Sequence, residues 1–186
     1  EKEQPIARLH ADLKGVRGAQ TKGATLVGFN LDAFTSYAKT QSYNAPVSEE
    51  VAFNYTTALN DLLRQGSRQK VQIGDATTVF WTEKKTRSES LLPFLFSQGE
   101  DQGDVQKLRL FLEAARDGKM PDELRDEGKV RTFVLGLSPN AGRISVRFWH
   151  VDTVVSLWGT IGQHFADLNI VRQYANEPEF PPMWLL

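Results

Sequence analysis

The sequence contains no cysteine in its 186 residues and no long apolar run. Without cysteine there is no disulfide, no thiolate metal site and no cysteine nucleophile, and this composition suits a reducing cytoplasm. No segment has the length of a transmembrane helix and no signal peptide is visible, so we expect no membrane partner. The net charge is only −1, so a nucleic-acid-binding surface would have to be a local basic patch.

Motifs for catalysis and for nucleotide binding are also absent. The chain has no HExxH, GxSxG, GxGxxG or GxxxxGK[ST] pattern. The histidines at 10, 150 and 164 do not stand at metal-ligand spacing, and we interpret His150 and His164 as structural. We therefore expect a protein that is not an enzyme, with no catalytic residue, no cofactor and no metal.

Loop carboxylates leave one enzymatic alternative open. A divalent metal could be held by Asp75, Glu83, Asp101 and Asp104, as in a metal-dependent nuclease. Because turns and helix caps commonly use these residue types, we favour the interpretation that all four are turn and cap residues on solvated loops.

Hydrophobic periodicity predicts an α+β fold with three main helices. These helices are expected to begin at Ser48, Asp104 and Asp152, and to end near Gly66, Gly118 and Leu168. The expected buried stripes are Val51, Tyr55, Leu59 and Leu62, widened by Ala58 and Leu63, in the first helix, and Val155, Trp158, Ile161 and Phe165 in the third. A shorter helix over 31–39 is predicted to follow a cap at Asn30.

Short β-forming runs predict a mixed or antiparallel sheet packed against those helices. The run ATLVGF (24–29) indicates a buried strand, and the two runs around Gly74-Asp75 indicate a hairpin or two adjacent short strands. Residues 130–138 and 143–151 are predicted to form a C-terminal strand hairpin through the turn PNAG. We expect one α+β domain over 1–186. The apolar ending PPMWLL suggests that it is a fragment of a longer protein.

The glycine-rich stretch from Leu13 to Asn30 is the first candidate binding site. Three cations, Lys14, Arg17 and Lys22, stand among glycines that would let the backbone approach a phosphate. Gln20 could add a hydrogen bond to a base or a sugar. A flexible surface loop with ordinary solubilising cations explains the same pattern.

The last predicted strand is the second candidate. Alternation gives it one face with Arg143, Ser145, Arg147 and Trp149, and another with Ile144, Val146, Phe148 and His150. We expect the second face to lie on the helices. The first face could present two guanidinium groups and an aromatic ring to a polynucleotide, or it could pair with acidic side chains or cover another subunit.

Several longer motifs add a family resemblance. They are GAQ (18–20), LVGFN (26–30), AFTSY (33–37), NAPVSE (44–49), AFNYTTALNDLL (52–63), SRQKVQIGDATTVFWTE (67–83) and LGLSPNAGRISVRFWHVDT (135–153). Together and in this order, they resemble the large subunit of the type I-C CRISPR Cascade complex. The resemblance spans most of the chain, and the family protein is longer, so it implies an internal fragment.

The resemblance implies a non-catalytic nucleic-acid-binding scaffold in antiviral defence. It implies as partners target double-stranded DNA with its adjacent motif, guide RNA through the complex, other Cascade subunits and a recruited helicase-nuclease. A phage inhibitor is a further candidate partner. From the residues themselves we nominate Lys14, Arg17, Gln20 and Lys22 as nucleic-acid-binding, with Arg143 and Arg147 second. Two alternatives stay open: a pure protein–protein interaction domain and a metal-dependent nuclease domain.

Overall fold

A computed structural model describes residues 3–89, 113–114, 119–120 and 122–167. Its regular elements within these ranges are two α-helices, four β-strands and three short 3-10 helices. In chain order the helices and strands are α1 (Glu49–Leu63), β1 (Lys70–Ile73), β2 (Ala76–Thr82), β3 (Arg131–Asn140), β4 (Arg143–Thr153) and α2 (Val154–Asp167). The 3-10 helices are Asp32–Ala38, Gln41–Asn44 and Asp122–Glu127.

The chain divides into two compact units. The first comprises Glu1–Ser67 and Leu137–Arg147, and the second comprises Arg68–Gly136 and Phe148–Leu186. The hairpin of β3 and β4 contributes to both, because its turn end belongs to the first unit and its base to the second.

The sheet has four antiparallel strands in the order β1-β2-β3-β4. Ile73 pairs with Ala76 across the two-residue turn Gly74-Asp75, which confirms the predicted hairpin. Gly74 has a φ of 56°, which glycine adopts at little cost. Strand β2 is the best buried of the four, because it lies between β1 and β3 and carries a run of apolar and threonine side chains.

The turn between β3 and β4 is tighter than the predicted PNAG. Pro139 and Asn140 still belong to β3, so only Ala141 and Gly142 form the turn. Two-residue hairpin turns require positive φ, and Ala141 adopts a φ of 52°.

Helix α1 confirms the prediction of a helix capped by Ser48. The Ser48 side chain accepts a 3.3 Å hydrogen bond from the Val51 backbone N–H. The buried residues of α1 are Ala52, Thr56, Leu59 and Leu63, whereas Val51 of the predicted stripe is 53% exposed. The stripe was misplaced because Thr56 is polar. Its hydroxyl donates to the Ala52 carbonyl at 2.7 Å, and this bond allows it to be buried.

Helix α2 begins one residue later than the predicted cap at Asp152 implies. Strand β4 continues to Thr153, whose Oγ1 accepts a 3.3 Å hydrogen bond from the Ser156 backbone N–H. The expected cap, Asp152, instead accepts from the Ser156 hydroxyl at 2.7 Å. The shift turns Val155 outward and buries Val154, Leu157, Trp158 and Ile161.

Three predictions about secondary structure are corrected. The described residues form two α-helices, not the expected three main helices, and the helix expected from Asp104 to Gly118 lies outside the described residues apart from 113 and 114. A periodic stripe is a weak guide to helix number, because packing supplies most helical stability. Residues 24–29 are not a strand, since only Ala24 and Thr25 form isolated bridges. Residues 32–38 are a 3-10 helix.

Candidate nucleic-acid interface

Residues 14–23, which we name the opening loop, form a closed loop. At its neck the Leu13 and Ala24 backbones exchange two hydrogen bonds of 3.0 and 2.9 Å. Inside it, Ala19 N–H donates to the Val16 carbonyl at 3.2 Å and Gly23 N–H donates to the Gln20 carbonyl at 3.0 Å. Leu13, Val16 and Ala24 are buried. The opening loop is therefore fixed at its neck and through Val16, unlike a flexible connector.

The glycine at position 15 serves packing. Its φ is 85°, and a Cβ there would overlap the Leu63 carbonyl oxygen at the end of α1. The neighbouring Lys14 backbone N–H donates to Asn60 Oδ1 at 2.9 Å, and Asn60 Nδ2 donates to the Asp12 carbonyl at 3.1 Å. These contacts seat the start of the opening loop against α1, so this glycine has a role that requires no phosphate.

The predicted site residues of the opening loop stand on this anchored backbone. Lys14, Arg17, Gln20 and Lys22 all have exposed side chains, while Val16 between them is buried. The loop carries three cationic side chains and no acidic one within ten residues. Such a segment is a compact source of positive charge on a chain of nearly neutral total charge.

The opening loop lies against the β3–β4 turn, which belongs to the same unit. A Cβ at Gly18 would lie 3.2 Å from Pro139 Cγ, and one at Gly142 would lie 3.6 Å from Gln20 Nε2. The structure thus brings Gln20 next to the turn that leads into Arg143. No sequence pattern indicated this proximity, since more than a hundred residues separate the two segments.

Arg143 holds neighbouring segments of the first unit together. Its Nη2 donates to Asn30 Oδ1, and its guanidinium carbon lies 4.4 Å from the centroid of the Phe34 ring. Its backbone forms a parallel bridge with Thr25, and Ile144 N–H donates to the Thr25 carbonyl at 3.0 Å. Asn30, predicted as a helix cap, is thus the acceptor for this arginine.

Strand β4 departs from the predicted division into two faces. Of the face expected to lie on the helices, Ile144 is buried, but Val146 is 51% and Phe148 37% exposed. The burial expectation failed because it assumed helices over the whole face. Arg147 is exposed and belongs to the first unit, whereas Trp149 belongs to the second.

In the second unit Trp149 joins an aromatic cluster with Trp81 and Phe133. The ring centroids of Trp149 and Phe133 lie 5.9 Å apart, and those of Trp81 and Phe133 lie 5.4 Å apart in a stacked arrangement. Trp149 nevertheless remains 51% exposed. Cross-strand aromatic pairs of this kind stabilise a sheet.

A pocket of about 670 Å³ lies in the first unit. Its lining includes Arg8, His10, Asp12, Phe29, Gln41 and Arg143. Sequence reasoning missed this site, because the residues come from four separate segments and have no characteristic spacing. Only the fold brings them together.

The loop carboxylates do not assemble in the described part of the chain. Glu83 accepts hydrogen bonds of 3.1 and 2.8 Å from Arg131. These bonds, together with the positive charge of the arginine, lower the pKa of Glu83. Asp75 lies in the β1–β2 turn, while positions 101 and 104 are outside the described residues. Among the described residues, no group of three or more histidine or acidic side chains could hold a metal ion.

The histidine at position 150, which we interpreted as structural, lies next to a carboxylate. His150 Nε2 is 3.5 Å from Asp152 Oδ2.

Within the described ranges, no helix is both long and apolar enough to cross a membrane.

Comparisons with known proteins identify the family. No curated protein matches the chain. The family model of CRISPR-associated protein (Cas_Csd1) matches residues 1–186, and a subunit of type I-C is consistent with this match. The resemblance drawn from the sequence motifs is thus confirmed, and the chain belongs to the Csd1 family of CRISPR-associated proteins.

Proposed function

We propose that this chain is a non-catalytic, nucleic-acid-binding part of the large subunit of a type I-C Cascade complex. In such a complex the guide RNA pairs with the target strand, while protein side chains bind the backbone and a short adjacent motif. The proposed partners are target double-stranded DNA, guide RNA through the complex, neighbouring Cascade subunits and the recruited helicase-nuclease. The proposed setting is antiviral defence in the cytoplasm.

The observation that carries the proposal is the opening loop with its exposed cations. A cation that contacts a phosphate releases condensed counterions, which favours binding without any sequence preference. Because the loop is fixed by its neck and by α1, little backbone conformational entropy is lost when Lys14, Arg17 and Lys22 meet a DNA backbone. The exposed amide of Gln20 could add a contact to a base edge or a sugar.

The two arginines of β4 are proposed as secondary contacts. Arg147 is exposed, so a ligand can approach its side chain. Arg143 is half-buried between Asn30 and Phe34, but a guanidinium group has five N–H donors, so some remain for a ligand. We therefore expect Arg143 to contribute less to DNA affinity than the opening-loop cations.

The test is salt-dependent DNA binding by the full complex. In the triple variant Lys14→Ala, Arg17→Ala and Lys22→Ala, the slope of log K against log salt should fall by about 0.9 for each phosphate that is no longer neutralised. Affinity should fall by similar factors for different target sequences. The matched control is Arg64→Ala in the same unit, an exposed arginine paired with Asp61 at 3.2 Å. An unchanged slope in the triple variant would remove the opening loop from the interface.

The alternative of a pure protein–protein interaction domain is favoured by one observation. The aromatic cluster of Trp81, Phe133 and Trp149 leaves half of the Trp149 side chain exposed, and exposed tryptophan is enriched at protein interfaces. If this alternative holds, Trp149→Ala should weaken assembly with other subunits while the triple loop variant binds DNA normally.

A further inference from the structure

The pocket in the first unit contains a buried polar group without a partner. His10 is 8% exposed, and its Nδ1 lies 2.5 Å from the Tyr55 hydroxyl. Its other ring nitrogen, Nε2, is buried and has no hydrogen-bond partner among the described residues. Burial lowers the pKa of His10, which favours the neutral form of the ring. A buried ring nitrogen without a partner is costly, and native proteins usually satisfy such groups.

The charged and polar groups of the pocket favour an anionic ligand with hydrogen-bonding edges. Two guanidinium groups, those of Arg8 and Arg143, line it with one carboxylate, that of Asp12. The carboxylate already accepts a 2.8 Å hydrogen bond from the Thr25 hydroxyl. The amides of Asn30 and Gln41 complete the polar lining.

An aromatic wall completes the site. Phe29 lines the pocket and its ring meets His10 edge to face, with centroids 6.3 Å apart. Flat aromatic side chains next to arginines are the usual surface for an unstacked base and its phosphate. At about 670 Å³ the cavity is within the range of small-ligand pockets, whereas a duplex keeps its bases stacked and paired and could not place one there.

We infer that this pocket receives one unstacked nucleotide of the displaced DNA strand. The inference rests on the proposed function, since it assumes that the chain binds target DNA. Bases of the guide–target heteroduplex are paired, whereas the bases of the displaced strand are free. Gly142 lines the pocket and also lies beside Gln20 of the opening loop. A strand held at the loop cations therefore has a short path to the pocket.

In the bound state the base lies against Phe29, with its polar edge towards Gln41 and Asn30. The phosphate pairs with Arg8, which is exposed and can reach the strand outside the pocket. His10 Nε2 gains its missing hydrogen bond, either from the base edge or through a water molecule that the base encloses.

The test is an abasic scan in the full complex. Target DNA with a preformed bubble carries one abasic residue at a time in the displaced strand, so that every base pair is kept. With the wild-type complex, we expect one position at which removal of the base weakens binding about tenfold. With Gln41→Ala and with Phe29→Leu, removal of that base should have no further effect.

Tyr43→Ala is the matched control. Tyr43 belongs to the same 3-10 helix as Gln41, is 63% exposed and does not line the pocket, so this variant should behave as wild type. The exposed Gln41 keeps the test valid if Phe29→Leu fails to fold. A flat abasic scan, or a base effect that survives both pocket variants, would overturn the inference.

The outcomes also separate this inference from the proposed function. A flat scan together with a reduced salt slope in the triple loop variant would leave the DNA interface standing and remove only the pocket. An abasic position whose effect disappears in the pocket variants, together with an unchanged salt slope, would retain the pocket and remove the opening loop from the interface. No effect in either experiment would remove both.

Discussion

The opening loop and the β3–β4 hairpin are both basic, yet their charges are held in different ways. In the loop the backbone provides the anchorage, through the neck at Leu13 and Ala24, and the cationic side chains are exposed. In the hairpin Arg143 is itself part of the anchorage, because it contacts Asn30 and Phe34. A cation with this role supports the fold, whereas an exposed cation on a fixed backbone is accessible to a ligand.

The largest expected loss of stability comes from a substitution that disrupts the anchorage of the opening loop. Gly15→Ala places a Cβ against the Leu63 carbonyl oxygen at a φ of 85°, so we expect a decrease of about 3 kcal/mol in the free energy of unfolding. Gly66→Ala is the control, because its φ of 75° is similar but nothing lies within 4 Å of the added methyl group. It should cost only about 1 kcal/mol. Equal decreases in urea unfolding would mean that the Leu63 contact does not exist.

The next largest expected loss of stability distinguishes the two arginines of β4. Arg143→Ala removes a cation–π interaction and a hydrogen bond, so we expect a decrease of about 1–2 kcal/mol in stability. The surface substitution Arg147→Ala should change stability by less than about 0.5 kcal/mol. Thermal or urea unfolding of the two variants measures the difference. If Arg147→Ala destabilised the protein as much as Arg143→Ala, the distinction between structural and accessible cations would fail.

The smallest expected loss of stability concerns two carboxylates of the second unit, one held by several hydrogen bonds and one in an exposed ion pair. Burial raises the pKa of Glu127, but hydrogen bonds from the Ser88 side chain and from the Arg87 and Ser88 backbone outweigh it, so the net pKa is lowered from 4.5. Stability from this group is therefore present above pH 4.5 and is lost as the pH falls through the lower, folded-state pKa. Glu127→Gln should remove that part of the pH dependence.

Unfolding curves recorded from neutral to acidic pH provide the measurement for Glu127→Gln. The variant should be less stable than the wild type at neutral pH, and the difference should shrink below pH 4.5. Glu83→Gln is the comparison, since Glu83 forms an exposed ion pair with Arg131 and such pairs contribute little. A difference for Glu127→Gln that stays constant with pH would contradict the assignment.

The elements predicted correctly are those determined by neighbouring residues. Ser48 followed by two glutamates predicts a helix start, and Gly74-Asp75 between β-forming runs predicts a hairpin, because caps and turns depend on a few adjacent residues. The burial of Thr56 was not predicted, because it depends on a hydrogen bond to its own helix. Helix periodicity was a poorer guide to helix number, since three main helices were expected and the described part of the chain forms two.

The candidate site could be predicted only in part. The cations of the opening loop are adjacent in sequence, so their clustering was visible. The role of Gly15 was not, because it depends on Leu63 in a helix almost fifty residues away. The pocket around His10 depends on the packing of four segments, and neither composition nor spacing carries that information.

The most direct test of the central claim is the salt dependence of target DNA binding by the full complex. Wild type, the triple variant at Lys14, Arg17 and Lys22, and Arg143→Ala would be measured side by side. We expect the slope of log K against log salt to fall by about 0.9 per phosphate left without its cation in the triple variant, and less in Arg143→Ala. A slope that is unchanged in the triple variant, or that falls more in Arg143→Ala, would contradict the claim that the opening loop binds DNA.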